Sequence, residues 1–393
     1  MLHNYAFANF QSFRERVEVD LTLSRKVPMT NWMVEVPTGE RVSKLMAVVG
    51  PNGSGKTALI KPMAFIGWFA SQSFHYHPDA GIPLSLHASS MNEPAEFECT
   101  VDFDGKLWRY VLRCTPTRVL HEALYQKKER FNYVFIRDWD ENANSYMVKQ
   151  QEFGLPAQEA RRVRQNVSLI SWAAQFGVPL ALRMAAPYVI SNVNLIGRVH
   201  MADMRVYLAA EHFSLRPEQK EMMGRLLSAW GLGLSGVDLR EIPANNPQDP
   251  NQKIWMPMGK HWSHGKEFDL PFALESSGTQ AAFVLLSQLL PALEMGGLAV
   301  MDEFESDLHP HMLEPILDLF ADPATNPHHA QLLFTCHAVE VMNLIQKSQV
   351  MLVQKDENCE SSSIRLDKVE GIRSDDNFYA KYMAGAYGAV PQF

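Results

Sequence analysis

The sequence predicts an α/β protein with a parallel-sheet core, a mixed N-terminal β-lobe and a helical insertion. Three observations lead there. LMAVV (45–49) and LAVM (298–301) are short, wholly apolar runs, as strands buried on both faces should be. Alternating apolar and polar runs fill much of the first 150 residues. The last third alternates helical and extended patterns, the order that yields parallel strands.

Taken in order, VEVDLTL (17–23) alternates as a half-buried strand does. KTALIKPMAFIGWFA (56–70) reads as a helix after the first apolar run. AEFECTVDFDGKLWRYVLRC (95–114) is two alternating runs joined by Asp104-Gly105, a hairpin signal, and FNYVFIRDW (131–139) is a further strand. From about 155 to 231 helical patterns take over, in QEARRVRQNVSLISWAAQF and RPEQKEMMGRLLSAW. GVDLREI (236–242) and KIWMPMG (253–259) return to strand. The expected division is therefore 1–150, with the β-lobe; 151–235, the helical insertion; and 236–393, the rest of the core.

With 393 residues, the chain is long enough for two or three lobes. Its 46% apolar and 20% charged residues match ordinary globular proteins. No apolar run approaches the ~20 residues that span a bilayer, so no membrane partner is expected. MLHNYAFANF lacks the basic-then-apolar order of a secretory signal. Cys99, Cys114, Cys336 and Cys359 are scattered, which disfavours a zinc site or disulfide framework and suits a reducing cytoplasm. A net charge of −8 gives no global pull toward nucleic acid and leaves a local basic groove open.

VVGPNGSGKTALI (48–60) places a glycine-rich loop between a strand and a helix, the context in which that pattern binds phosphate. Asn52, Gly53, Ser54, Gly55, Lys56 and Thr57 form the expected cradle: backbone N–H groups wrap the phosphates, Lys56 reaches the β and γ groups, and Thr57 holds Mg²⁺. Such a loop serves kinases, motors, transporters and switches alike. GGLAVMDEFESDLHP (296–310) supplies Asp302 at a strand tip, placed to bind Mg²⁺ through water, and Glu303, placed to polarise an attacking water. The other reading is a solvated acidic loop of Asp302, Glu303, Glu305 and Asp307. AQLLFTCHAVEVM (330–342) ends a third strand at Thr335 and His337, where the histidine can meet a γ-phosphate. In LESSGTQAAFVLLSQLLPAL (274–293), Ser276, Ser277 and Gly278 stand before an apolar helix, as an anion site or a plain helix cap.

GPNGSGKT, ESSGTQ, MDEFESDLHP and TCH, in that order, resemble the ABC-type ATPase heads of the RecF, SMC and OLD proteins, and most of all the AAA-15 ATPases of bacterial antiviral defence. NFQSF (9–13) and the tail GIRSDDNFYAKYMAGAYGAVP (371–391) extend the match. The resemblance implies an ABC-type P-loop head that binds and slowly hydrolyses ATP with Mg²⁺. It implies that Ser277 and Gly278 act in trans on ATP held by a second copy, in a homodimer or higher homo-oligomer. Asp307 would cross the same interface, and Gln11 to Arg14 would lie near the nucleotide. The signature reads SSGT, with Thr279 where a glycine is common, and the Mg²⁺-sensing glutamine has only Gln72 as a candidate beside the reading of a surface residue.

The role implied is an antiviral switch over a separate toxic effector, often a nuclease. Residues 338–393 carry a strand pair and the tail but no nuclease carboxylate set. The alternatives are a DNA-binding ATPase of repair or chromosome maintenance, and a transporter ATPase, which SSGT disfavours. GLGLSG (231–236) follows a helical pattern and reads as a helix stop. HYH (75–77), HPH (309–311) and His328-His329 lack ligand partners at metal spacing, and RRVR (161–164) and KKER (127–130) read as solvated faces.

Overall fold

The computed structural model describes residues 1–186, 188–194, 198, 203–244, 253–306, 308–373 and 375–388. Its centre is a six-stranded sheet in the order Val189–Ser191, Leu298–Met301, Gln331–Thr335, Leu45–Val49, Val350–Lys355, Ser361–Arg365. All neighbours are parallel except the last pair. Leu298–Met301, Gln331–Thr335 and Leu45–Val49 are buried on both faces, which is why they read as largely apolar runs. Alternate side chains enter different cores. Met46, Val48, Val300, Leu333 and Met351 join one cluster; Leu45, Ala47, Val49, Ala299, Phe334 and Leu352 join the other.

The first core is closed by the helix Lys56–Gln72 and a seven-stranded sheet, the β-lobe. In that sheet Leu2–Ala8 lies between Val17–Asp20 and the meander Ala95–Phe103, Lys106–Cys114, Val119–Lys127, Phe131–Asp140 and Ser145–Gln150. Asp104 and Gly105 both take positive φ, 53° and 68°, the backbone of a two-residue hairpin. VEVDLTL is not one strand. It breaks at Leu21, where the Asp20 carboxylate accepts from the Thr22 N–H (2.8 Å) and hydroxyl (2.6 Å).

The second core packs under the helices Asp203–Ser214, Pro217–Ala229, Ser277–Met295 and Leu313–Ala321. Segment 151–235 therefore does not form one lobe. Leu169–Gln175 and Pro179–Met184 pack on the first core, Asp203–Ser214 and Pro217–Ala229 on the second, and the core strand Val189–Ser191 lies between them. The helical reading of QEARRVRQN also fails after Ala160. Arg164 donates to the carbonyls of Phe74 and Tyr76, and Asn166 to those of His77, Pro78 and Ala80, so tertiary contacts override local propensity. Arg164 is thus no solvated base. Gly231 and Gly233, at φ 71° and 75°, end the helix at GLGLSG as a stop. No helix among the described residues is long and apolar enough to cross a membrane.

Candidate functional site

Three neighbouring strands, Leu45–Val49, Gln331–Thr335 and Leu298–Met301, point their C-terminal ends the same way. Their tips carry the phosphate loop, His337 and Asp302, the loop lying more than two hundred residues before the other two. A crevice beyond the carboxyl ends of parallel strands is where such sheets bind ligands.

The loop is shaped by close packing. Gly55 sits at φ 108°, and a Cβ there would lie 2.6 Å from Ser361 Oγ and 2.9 Å from Ser12 Oγ. A Cβ on Gly50 would lie 2.2 Å from the Val353 carbonyl oxygen. Helix Lys56–Gln72 begins with no side-chain cap and no acidic residue in its first turn. Its first N–H groups are therefore left for an anion, and the cradle fits a phosphate. Asn52 and Gly53 are exposed, while Ser54 is buried with no partner for its hydroxyl. Lys56 is buried and folds back to donate to the carbonyls of Gly50 (2.9 Å) and Pro51 (3.1 Å). Burial pushes its pKa down, against the pull of Glu303, Asp302 and Glu305. Gly55→Ala is expected to weaken ATP binding by about tenfold or more, read by equilibrium titration, since it adds both a clash and left-handed strain.

Thr57 and Asp302 meet directly, the hydroxyl 3.0 and 2.9 Å from the two carboxylate oxygens. The buried Thr335 hydroxyl donates to Asp302 Oδ1 (2.7 Å) and accepts from the Glu303 N–H (2.8 Å). Asn192 clasps the Asp302 backbone, accepting from its N–H (2.7 Å) and donating to its carbonyl (2.9 Å). One hydroxyl and one carboxylate side by side are hard oxygen donors of the kind Mg²⁺ takes alongside phosphate oxygens and water. No cluster of three or more His, Cys, Asp or Glu suited to a metal occurs among the described residues.

Glu303 follows at φ 44°, a left-handed backbone for a non-glycine residue. His337 Nε2 is 2.7 Å from its Oε1, and Arg198 donates to Oε2 at 2.6 Å. Burial raises the Glu303 pKa, but His337 and Arg198 outweigh it and hold the carboxyl below its ordinary value. The His337 N–H donates to Glu305, whose second oxygen is buried without a partner.

The helix Ser277–Met295 starts at the surface, with Ser276 and Ser277 exposed. The Ser276 hydroxyl caps it, accepting from the Thr279 N–H (3.2 Å) and pairing with the Thr279 hydroxyl (2.9 Å). Thr279 is buried, so it serves its own turn. Ser277 and Gly278 have no hydrogen bond to the phosphate loop of the same chain among the described residues. Asp307 lies outside the described residues. Gln72 ends its helix fifteen residues after Thr57, roughly 22 Å along the axis, too far to serve a metal there.

Ser12 is next to the loop, hydrogen-bonded to Ser361 Oγ (2.8 Å), which also donates to the Ser54 carbonyl (2.7 Å). Ser361, Asn192 and Arg198 carry no sequence signal, since each acts through partners more than a hundred residues away. The tail helix Phe378–Met383 packs on Val339–Asn343, just after His337.

Loop, strand tips and carboxylates together make a P-loop NTPase head with a mostly parallel core sheet. The family model described as "AAA domain, putative AbiEii toxin, Type IV TA system" (AAA_21) matches residues 45–343. The chain belongs to that family. Among solved structures, the SMC head domain from Thermotoga maritima aligns over 93% of this chain and 98% of that one, at 15% identity and a TM-score of 0.43. No curated protein matches the chain.

Proposed function

We propose that the protein is an ATP-driven switch: two copies close around ATP, hydrolysis reopens them, and the closed state controls a separate toxic partner, such as a nuclease, in antiviral defence. One observation carries the reading. The phosphate loop has Lys56, Thr57, Asp302, Glu303 and His337 grouped at its strand tips, whereas the exposed helix start at Ser277 and Gly278 makes no hydrogen bond to it. Such a helix N-terminus favours an anion, and a second copy can supply one.

In this reading Lys56 and the loop N–H groups bind the phosphates, and Thr57 with Asp302, directly or through water, holds Mg²⁺. Bound there, the ion neutralises charge on the phosphoryl oxygens. Glu303 takes a proton from water, and His337 keeps its carboxylate aimed. The family description, which names a "putative AbiEii toxin" and a toxin–antitoxin system, supports a place in such a system. A DNA-repair role has less support: Arg16 and Arg109 pair with Glu98, and Arg113 with Glu96, on the β-lobe.

Light scattering of Glu303→Gln with and without MgATP tests the switch. The expected result is a doubling of mass on adding MgATP that Ser277→Arg abolishes while ATP binding persists. An unchanged mass at saturating ATP counts against it.

A further inference from the structure

We propose that Arg198 is a positioning residue that holds the Glu303 carboxylate in a resting arrangement and so keeps basal turnover low; this rests on Glu303 being the base. Val189 to Asn192 run beside the segment that carries the carboxylates. Val189, Ile190 and Ser191 pair in register with Leu298, Ala299 and Val300. Asn192 then closes two hydrogen bonds on the Asp302 backbone. Val193 bridges to Arg198, bringing the guanidinium back to Glu303 Oε2 at 2.6 Å and Ser306 Oγ at 2.7 Å.

The contact is no loose surface pair. The Arg198 side chain is 16% exposed and that of Glu303 33%, so solvent screens the pair only in part. With His337 on Oε1, both carboxylate oxygens are engaged. A carboxylate held at both oxygens is less free to turn toward a water. None of Lys56, Thr57 or Asp302 hydrogen-bonds Arg198, so the hold bears on turnover more than on nucleotide binding.

The test compares Arg198→Ala, Arg198→Lys, Glu303→Gln and the double variant Arg198→Ala/Glu303→Gln. Arg198→Ala is expected to raise kcat by about 3–10-fold with KM within about twofold, and Arg198→Lys to restore most of the low rate. The gain should vanish in the Glu303→Gln background. In nucleotide-free protein, the melting-temperature losses of the two single variants should be non-additive, because each removes the charge–charge attraction of the same contact. If Arg198→Ala folds poorly, Arg198→Gln takes its place in every arm. A kcat at or below wild type in a folded variant, or additive melting losses, overturns the proposal. Wild-type turnover by Glu303→Gln instead removes Glu303 as base, and the nucleotide-free melting cycle still reports on the pair itself.

Discussion

Glu303→Gln is expected to lower ATP turnover by about 10²–10³-fold while ATP affinity stays within about threefold. The amide keeps the shape of the carboxylate and can still accept from Arg198, so the loop need not move. It cannot take a proton from water. Of the groups expected to hold nucleotide and metal, Lys56 keeps its bond to the Gly50 carbonyl, and Thr57 and Asp302 keep theirs to each other. The split between rate and affinity is therefore diagnostic: phosphate release measures the first and equilibrium titration the second. Loss of both points to collapse of the strand tip, and wild-type turnover removes Glu303 from the chemistry.

Glu122→Ala is expected to cost about 3–5 kcal/mol of unfolding free energy, among the largest single effects available away from the site. Glu122 and Arg137 are both fully buried and 3.4 Å apart. The carboxylate also accepts from the Tyr110 hydroxyl (2.9 Å), the Ser168 hydroxyl (2.7 Å) and the Leu169 N–H (2.9 Å), so it caps helix Leu169–Gln175 from the β-lobe. Arg137 donates to the carbonyls of Val167 (2.7 Å) and Arg164 (2.8 Å) and stacks on Tyr146, 3.8 Å from its ring centroid. Removing the carboxylate leaves a buried guanidinium with no countercharge. Urea unfolding measures the loss. Glu122→Leu/Arg137→Met should recover much of it, because the uncompensated charge goes too. A loss below about 1 kcal/mol for Glu122→Ala would mean that water reaches the pair.

Sequence was informative where structure is local. LMAVV, LAVM and LLF are strands because no polar side chain interrupts a run that must be dry on both faces. Gly55 and Asp104-Gly105 announce turns because few other residues accept their backbone. What escaped is non-local. Val189–Ser191 is three residues long and flanked by helical patterns, so nothing in its spacing marks a core strand. The helix expected through Arg161 to Asn166 yields to carbonyls some ninety positions upstream. Ser361 joins the phosphate loop across 307 positions, and Arg198 reaches Glu303 across 105. Gln72 is a candidate by position beside a surface reading, and its place at the far end of the helix carries it away from the loop.

The central claim is that one ATP site is built from two copies, and complementation tests it most directly. Lys56→Ala removes the lysine proposed to bind phosphate, and Ser277→Arg blocks the helix start proposed to meet a second copy. Each variant alone is expected to be inactive in ATP turnover. Mixed in equal amounts, they should regain activity, because a Lys56→Ala copy still offers Ser277 and a Ser277→Arg copy still offers Lys56. A mixture as inactive as its parts, or full activity of Ser277→Arg alone, would contradict the shared site.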